Sequence, residues 1–177
     1  MVHEPRETGW ALSYIDNPID LDEIPIVYGG IWARFGALIL DRIIAAILSI
    51  PLAAALGYVL YRLEPGYSTG EERAYAALSG VLLGYGLVSF AYEWIGTAVG
   101  GPFGKRLLNL KVVRSRDLEV PERGTALKRV GVIWVLGSIP FIGTVLSLGD
   151  CAWAIPNEER QTWHDRIAGT LVIKRNP

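Results

Sequence analysis

The sequence predicts an all-α membrane protein with two transmembrane helices and a third apolar segment, and three uncharged runs carry this prediction. Residues 43–61 and 74–92 each contain 19 residues without a charge, and residues 130–149 contain 20. A helix needs ~20 mostly apolar residues to cross the ~30 Å hydrocarbon layer of a bilayer. Three such runs in a chain of 177 residues leave too little polar sequence to cover them in water.

Composition supports this class and excludes several others. The chain is 51% hydrophobic, and its mean hydropathy is +0.30. Its single cysteine, Cys151, excludes an internal disulfide and a cysteine metal cluster. A net charge of -1 excludes a strongly basic nucleic-acid binder. We find neither a nucleophile–base set nor a nucleotide-binding loop, so we expect no enzyme, no cofactor and no bound metal.

The first helix is expected over about residues 31–61, after an acidic and flexible N-terminal tail over residues 1–27. At 1.5 Å per residue this helix is roughly 46 Å long, which exceeds the thickness of the hydrocarbon layer. It must therefore tilt, bend or project, and Pro51 is the expected position of a kink. A polar loop follows, in which Pro65 and Gly66 favour a turn.

The second helix is expected over about residues 73–95. Ala76, Gly80 and Gly84 repeat every four residues along it. Small residues at this spacing allow another helix backbone to approach closely. The alternative is a chance pattern in a chain with 20 glycines.

The third apolar segment, about residues 126–155, has two interpretations. It is a helical hairpin that turns at the Gly- and Pro-containing residues 137–143, or it is one kinked span. The hairpin would return the C-terminal segment, residues 156–177, to the side from which the chain entered. We favour the hairpin because that segment carries Arg160, Arg166, Lys174 and Arg175. Basic residues concentrate on the cytoplasmic side of membrane proteins.

Charge also orients the rest of the chain. Residues 96–129 contain eight basic residues against three acidic ones, which places the loop 96–125 in the cytoplasm. The N-terminus precedes this loop by two membrane crossings, so it is expected in the cytoplasm as well. Residues 108–113 alternate apolar and polar side chains, and residues 170–174 favour a strand. Pairing between them would form a small cytoplasmic β element.

Two positions in the first helix draw attention as candidate functional residues. Arg34 and Asp41 lie seven residues apart, close to two helical turns, so both point along one face. Ionisable residues inside a membrane span are costly and usually face a partner or a cavity. Asp41 could exchange a proton or coordinate a cation. In the alternative interpretation, both residues lie at the headgroup boundary and contact lipid phosphates.

The polar run at residues 161–166 is a second candidate region. Thr162 is placed to cap a helix in which Asp165 is the third residue. His164 stands next to Asp165, but the only other histidine is His3. One such pair is too small a ligand set for a metal site.

The chain resembles the RDD family of membrane proteins, which is named for one arginine and two aspartates. The resemblance rests on Tyr28–Asp41, Thr97, Gly104–Leu108, Leu110–Val113, Gln161–Asp165 and Ala168–Thr170 with Val172. It identifies Arg34, Asp41 and Asp165 as the name-giving residues, and it implies a role in transport of unspecified ligands. Two departures, Gly101–Pro102–Phe103 and Asn109 in place of a glycine, affect the expected turn geometry.

These residues lead to one expected cluster at the cytoplasmic face, formed by Arg34, Asp41, Lys105, His164 and Asp165. Glu93 and Asp150 are secondary candidates. The cluster is either an ion-pair network that clamps the loop and the tail to the helices, or a gate or a proton and cation site. Buried charges need partners in either case.

Two functions follow. The first is a multi-pass cell-membrane protein that acts as a small transporter or channel subunit and moves monovalent cations against protons. Three spans rarely enclose a pathway, so this function requires a homo-oligomer. The second is a non-transporting scaffold or assembly factor whose charged cluster is structural.

Overall fold

The computed structural model describes residues 26–63, 69–137, 153 and 159–175. This part of the chain is mostly helical and contains a two-stranded sheet, as predicted. In chain order the elements are α1 (Ile31–Leu63), α2 (Gly70–Ala98), α3 (Phe103–Leu107), β1 (Leu110–Arg114), α4 (Arg123–Gly137), α5 (Trp163–Ala168) and β2 (Thr170–Lys174).

Two of these helices, α1 and α2, are long and apolar enough to cross a membrane. In each, only 22% of the most apolar 18-residue window is buried inside the protein. Helix α1 continues through Pro51. Helix α2 begins at Gly70, before the predicted start at residue 73, because Thr69 and Glu72 form a capping box. This reciprocal pair satisfies backbone N–H groups that a helix otherwise leaves free at its first turn.

Helices α1 and α2 pack backbone to backbone, which confirms the predicted close approach. A Cβ atom added to Gly80 would lie 2.6 Å from the carbonyl of Leu56. One added to Gly84 would lie 2.6 Å from the Cα atom of Ala53. The small-residue face of α2 is therefore occupied by the chain's own first helix.

The predicted pairing of two β segments is also confirmed. Strands β1 and β2 are antiparallel, with Val112 opposite Val172. A small buried core contains Leu110 and Val112 of β1, Val172 of β2 and Ala37 of α1. Strand β1 begins at Leu110 rather than at residue 108 because Asn109 adopts a φ of 55°. Asparagine tolerates this left-handed conformation better than most residues.

Helix α4 lies against α2 and runs in the opposite direction. Near the start of α4, the carbonyl of Arg123 accepts a hydrogen bond from the indole N–H of Trp94, at 3.0 Å. Further along, the ring of Trp134 meets that of Phe90 edge to face at 5.5 Å. Residues 123–137 thus form the beginning of the predicted third segment. Residues 138–143 of the expected hairpin turn, Asp150 and residues 1–25 of the expected tail lie outside the described residues.

Candidate functional site

A buried carboxylate, Asp165, is the centre of one charged cluster. Thr162 caps α5 as predicted, and its hydroxyl accepts a hydrogen bond from the Asp165 backbone N–H. The Asp165 side chain has no exposed surface. It receives hydrogen bonds from the hydroxyls of Thr162 and Thr170, at 2.9 and 3.0 Å. A local helix cap therefore fixes the carboxylate in a position where it can also bind distant groups.

Two arginines from different helices meet Asp165. Arg129 of α4 approaches its Oδ1 atom to 2.8 Å, and Arg34 of α1 approaches its Oδ2 atom to 3.5 Å. Arg34 also donates to the backbone carbonyls of Gly29 and Val172, each at 3.1 Å. One guanidinium group thereby joins α1, the segment before it, β2 and α5. Together with Thr162, Thr170 and His164, these residues form what we call the Asp165 cluster.

The surroundings hold Asp165 in its ionised form. Burial alone would raise the pKa of this carboxyl and is the largest single influence. The charge of Arg129, followed by those of His164 and Arg34 and the hydrogen bond from Thr162, outweighs it. The net result is a pKa well below the ordinary value for aspartate.

His164 links Arg129 to the helix cap. The Nη2 atom of Arg129 lies 3.1 Å from the Nε2 atom of His164. The two ring nitrogens of His164 lie 3.0 and 3.1 Å from the Thr162 hydroxyl, which donates to Asp165. Close polar contacts thus run from Arg129 through His164 and Thr162 to Asp165.

The other aspartate of the family signature, Asp41, forms a second group. It is 2% exposed, and its Oδ1 atom accepts hydrogen bonds from the Gly104 N–H at 2.7 Å and from the Tyr92 hydroxyl at 2.8 Å. Lys105 lies 3.7 Å from its Oδ2 atom. We call these residues the Asp41 cluster.

The chain between α2 and α3 brings Gly104 to this carboxylate. Gly100 and Gly101 have φ angles of 92° and 130°, which residues with a side chain rarely adopt. A Cβ atom on Gly104 would lie 2.7 Å from the carbonyl of Ala37 and 2.8 Å from Asp41. The turn at Gly101–Pro102–Phe103 therefore delivers a backbone N–H that only glycine can bring this close to α1.

Lys105 of the Asp41 cluster is also affected by charges of the Asp165 cluster. Its pKa is lowered, first because burial disfavours the ammonium ion and second because Arg129 repels it. Asp41, Glu93 and Asp165 act in the opposite direction without restoring the ordinary value.

Glu93 of α2 forms an ion pair with Arg42 of α1, at 3.0 Å. Among the described residues, the second oxygen of Glu93 has no hydrogen-bond donor, and the same is true of Asp41 Oδ2 and the hydroxyl of Ser89. Ser89 lies one turn before Glu93 on the same helix. Buried oxygens without a donor are uncommon in folded proteins and need an explanation.

A cavity of about 310 Å³ lies beside the Asp165 cluster, Lys105 and Glu93. Its charged lining comes from Arg34, Arg42, Glu93, Lys105, Arg129 and Asp165, and its apolar lining includes Trp32, Phe35, Leu38 and Ile133. Across residues 26–63, 69–137, 153 and 159–175, no three His, Cys, Asp or Glu side chains come together as a metal-binding group.

The sequence profile of the RDD family matches residues 28–169. The chain belongs to the RDD family. No curated protein and no solved structure matches it. The matched range contains Arg34, Asp41 and Asp165, the residues that the resemblance identified as name-giving.

In this RDD protein, the structure brings together the five residues of the expected cluster, but in two groups. Arg34, His164 and Asp165 belong to the Asp165 cluster, whereas Asp41 and Lys105 belong to the Asp41 cluster. Glu93, a secondary candidate, lines the cavity between them.

Sequence reasoning missed Arg129, Tyr92 and Arg42 as members of the site. Arg129 stood among eight basic residues of one polar segment and was interpreted only as a topological charge. Its position close to the start of an apolar helix could have distinguished it. Tyr92 lies one residue before Glu93 and likewise ends an apolar run.

Proposed function

We propose that this protein is a multi-pass integral membrane protein. The exposure of large apolar side chains on α1 supports this proposal. Ile43, Ile47 and Ile50 are each more than half exposed, on a helix that is long enough to cross a bilayer. The core helix of a water-soluble protein would bury these side chains, whereas lipid covers them at no cost.

The N-terminal segment, the loop after α2 and the C-terminal segment share one side of the membrane in this proposal. Three contacts support it: the pairing of β1 with β2, the bridge between Tyr28 and Ile173, and the ion pair between Arg34 and Asp165. The eight basic residues of 96–129 favour the cytoplasm for that side. This arrangement favours the hairpin interpretation of the third apolar segment over the single kinked span.

The proposed activity is exchange of monovalent cations against protons by a homo-oligomer. This proposal rests on buried carboxylate oxygens that accept no hydrogen bond among the described residues. Asp41 Oδ2 from α1 and Glu93 Oε2 from α2 would each gain a partner from a proton or a cation. Carboxylates of this kind, placed on adjacent membrane helices, are typical of proton and ion pathways.

Lys105 supports proton exchange at the same place. Its pKa is lowered by burial and by Arg129, so its ammonium group releases a proton more readily than an exposed lysine does. The proton would move between Lys105 and the Asp41 carboxylate as a cation enters or leaves. Three spans rarely enclose a pathway, and for this reason the proposal includes several copies of the chain.

The test is ion flux in liposomes loaded with a pH-sensitive dye, under sodium and potassium gradients applied in turn. We expect the wild type to change the internal pH, and Asp41→Asn and Glu93→Gln to abolish that change while remaining folded. Glu71→Gln, at an exposed position near the other end of α2, is the matched control and should keep full flux. Absence of flux in the wild type under every gradient would overturn the proposal.

A scaffold is the second proposed function, and the saturated geometry of the Asp165 cluster favours it. Asp165 has two arginines and two hydroxyls as partners, which is what a structural clamp requires. The small-residue face of α2 no longer supports this function, since α1 occupies it. Unchanged flux in Asp41→Asn, together with loss of a copurifying partner, would favour the scaffold over the transporter.

A further inference from the structure

The charges around the cavity do not balance. Among the described residues that line it, four arginine or lysine side chains face two carboxylates, and Asp41, which pairs with Lys105, adds a third carboxylate. The basic ones are Arg34, Arg42, Lys105 and Arg129, and the acidic ones are Asp41, Glu93 and Asp165. A buried charge without a counterion is costly.

Arg129 is the source of the excess. It shares Asp165 with Arg34, so a single carboxylate serves two guanidinium groups. The Arg129 side chain is 4% exposed, and its Nε–H has no acceptor among the described residues. Lys105, which also lines the cavity, lies 3.7 Å from Asp41. We call Arg129 and Lys105 the cationic wall of the cavity.

The apolar wall, which contains Trp32 and Phe35, continues along α1. Trp32 and Phe35 line the cavity and are 85% and 52% exposed. Ile39 and Ile43 follow at steps of four residues on the same exposed face of the helix. An acyl chain could therefore leave the cavity past Phe35 and lie along α1 towards the middle of the bilayer.

We propose that this cavity binds an anionic amphiphile, with its negatively charged headgroup at Arg129 and Lys105 and its acyl chain along Trp32 and Phe35. A cavity of about 310 Å³ lies at the lower end of the ~300–1,000 Å³ range of small-molecule sites. It holds a headgroup and the first part of a chain. A fatty-acid carboxylate and a phospholipid phosphodiester share the required chemistry. The site goes beyond the proposed ion exchange and does not depend on it.

Binding to the full chain in a neutral detergent tests the proposal, with four probes: oleate, dioleoylphosphatidylglycerol, dioleoylphosphatidylcholine and inorganic phosphate. We expect saturable binding of oleate or the phosphatidylglycerol, and binding of the phosphatidylcholine at least about tenfold weaker, the loss expected for one interaction with a charged group. Whichever anionic probe binds more tightly identifies the source of the headgroup.

Two variants separate the two walls of the cavity. Lys105→Gln should weaken binding of the anionic probe by about tenfold. Trp32→Ala should weaken oleate and both lipids alike, without changing their order. Tyr75→Ala, which removes an aromatic ring that is 69% exposed near the other end of α2, is the matched control. Thermal unfolding of each variant verifies that it is folded.

Binding of phosphatidylcholine as tight as that of the tighter anionic probe would overturn the proposal. So would anionic binding that survives Lys105→Gln unchanged, or inorganic phosphate that binds as tightly as oleate. Because this readout is binding in detergent and the test of ion exchange is flux in liposomes, failure of one is distinguishable from failure of the other.

Discussion

Arg34 and Asp165 are 131 positions apart in the chain, and their side chains form an ion pair at 3.5 Å. The Arg34 side chain is 14% exposed and that of Asp165 is fully buried. The same guanidinium group donates to the carbonyls of Gly29 and Val172. This contact closes the chain into one structural unit, because the elements that it joins come from both ends of the family region.

Replacing Asp165 by asparagine should destabilise the protein strongly. Arg34 and Arg129 would keep their buried charges and lose the carboxylate that both of them contact. Breaking a buried pair in this way costs about 3–5 kcal/mol. Thermal or denaturant unfolding in detergent measures the loss. Glu119→Gln, which alters an exposed partner of Arg114, is the control and should cost less than ~1 kcal/mol.

Stability should fall as the medium becomes acidic. The pKa of Asp165 is lower in the folded protein than the value of ~3.9 in an unfolded chain. Its contribution is therefore complete above pH ~4 and is lost as the pH falls towards the folded-state pKa. The slope of unfolding free energy against pH below 4 should be steeper in the wild type than in Asp165→Asn, by up to ~1.4 kcal/mol per pH unit. Parallel slopes would contradict this prediction.

Two glycine-to-alanine substitutions should have opposite effects. At Gly84 the new methyl group would lie 2.6 Å from Ala53, so α1 and α2 must separate, at a cost of ~1–3 kcal/mol. At Gly131, inside α4, the described part of the chain places no atom within 4 Å of the new methyl group, apart from the nearby backbone of the helix itself. There alanine should gain up to ~1 kcal/mol from its higher helix propensity. Unfolding of both variants under one condition measures the contrast, and equal effects would argue against the close helix packing.

Cysteine labelling should place the β element and the start of α2 on opposite sides of the membrane. In a Cys151→Ser background, Ser115→Cys and Lys174→Cys should react only when a membrane-impermeant thiol reagent reaches the cytoplasmic side. Thr69→Cys, at the N-cap of α2, should react from the other side. All three positions are exposed. Labelling of Ser115→Cys and Lys174→Cys from different sides would contradict the shared side of β1 and β2.

Local patterns determined a large part of this protein. Uncharged runs set the approximate positions of α1 and α2, since a helix hydrogen-bonds its own backbone and needs only apolar side chains to enter lipid. The Thr162–Asp165 cap and the strand pair of residues 110–114 and 170–174 were likewise readable, because capping and alternation act over a few residues. Ionisable side chains in an apolar helix indicated Arg34 and Asp41 as candidate site residues, and the family resemblance grouped Asp165 with them.

Only the tertiary structure decided which groups meet. It assigned the small-residue face of α2 to α1, brought Tyr92 and the Gly104 N–H to Asp41, and added Arg129 as the second arginine on Asp165. Local periodicity in the sequence cannot predict these contacts. Each contact joins residues whose separation in space depends on how whole helices pack. A charge becomes a partner of another only after packing has buried both and excluded the water that would otherwise solvate them.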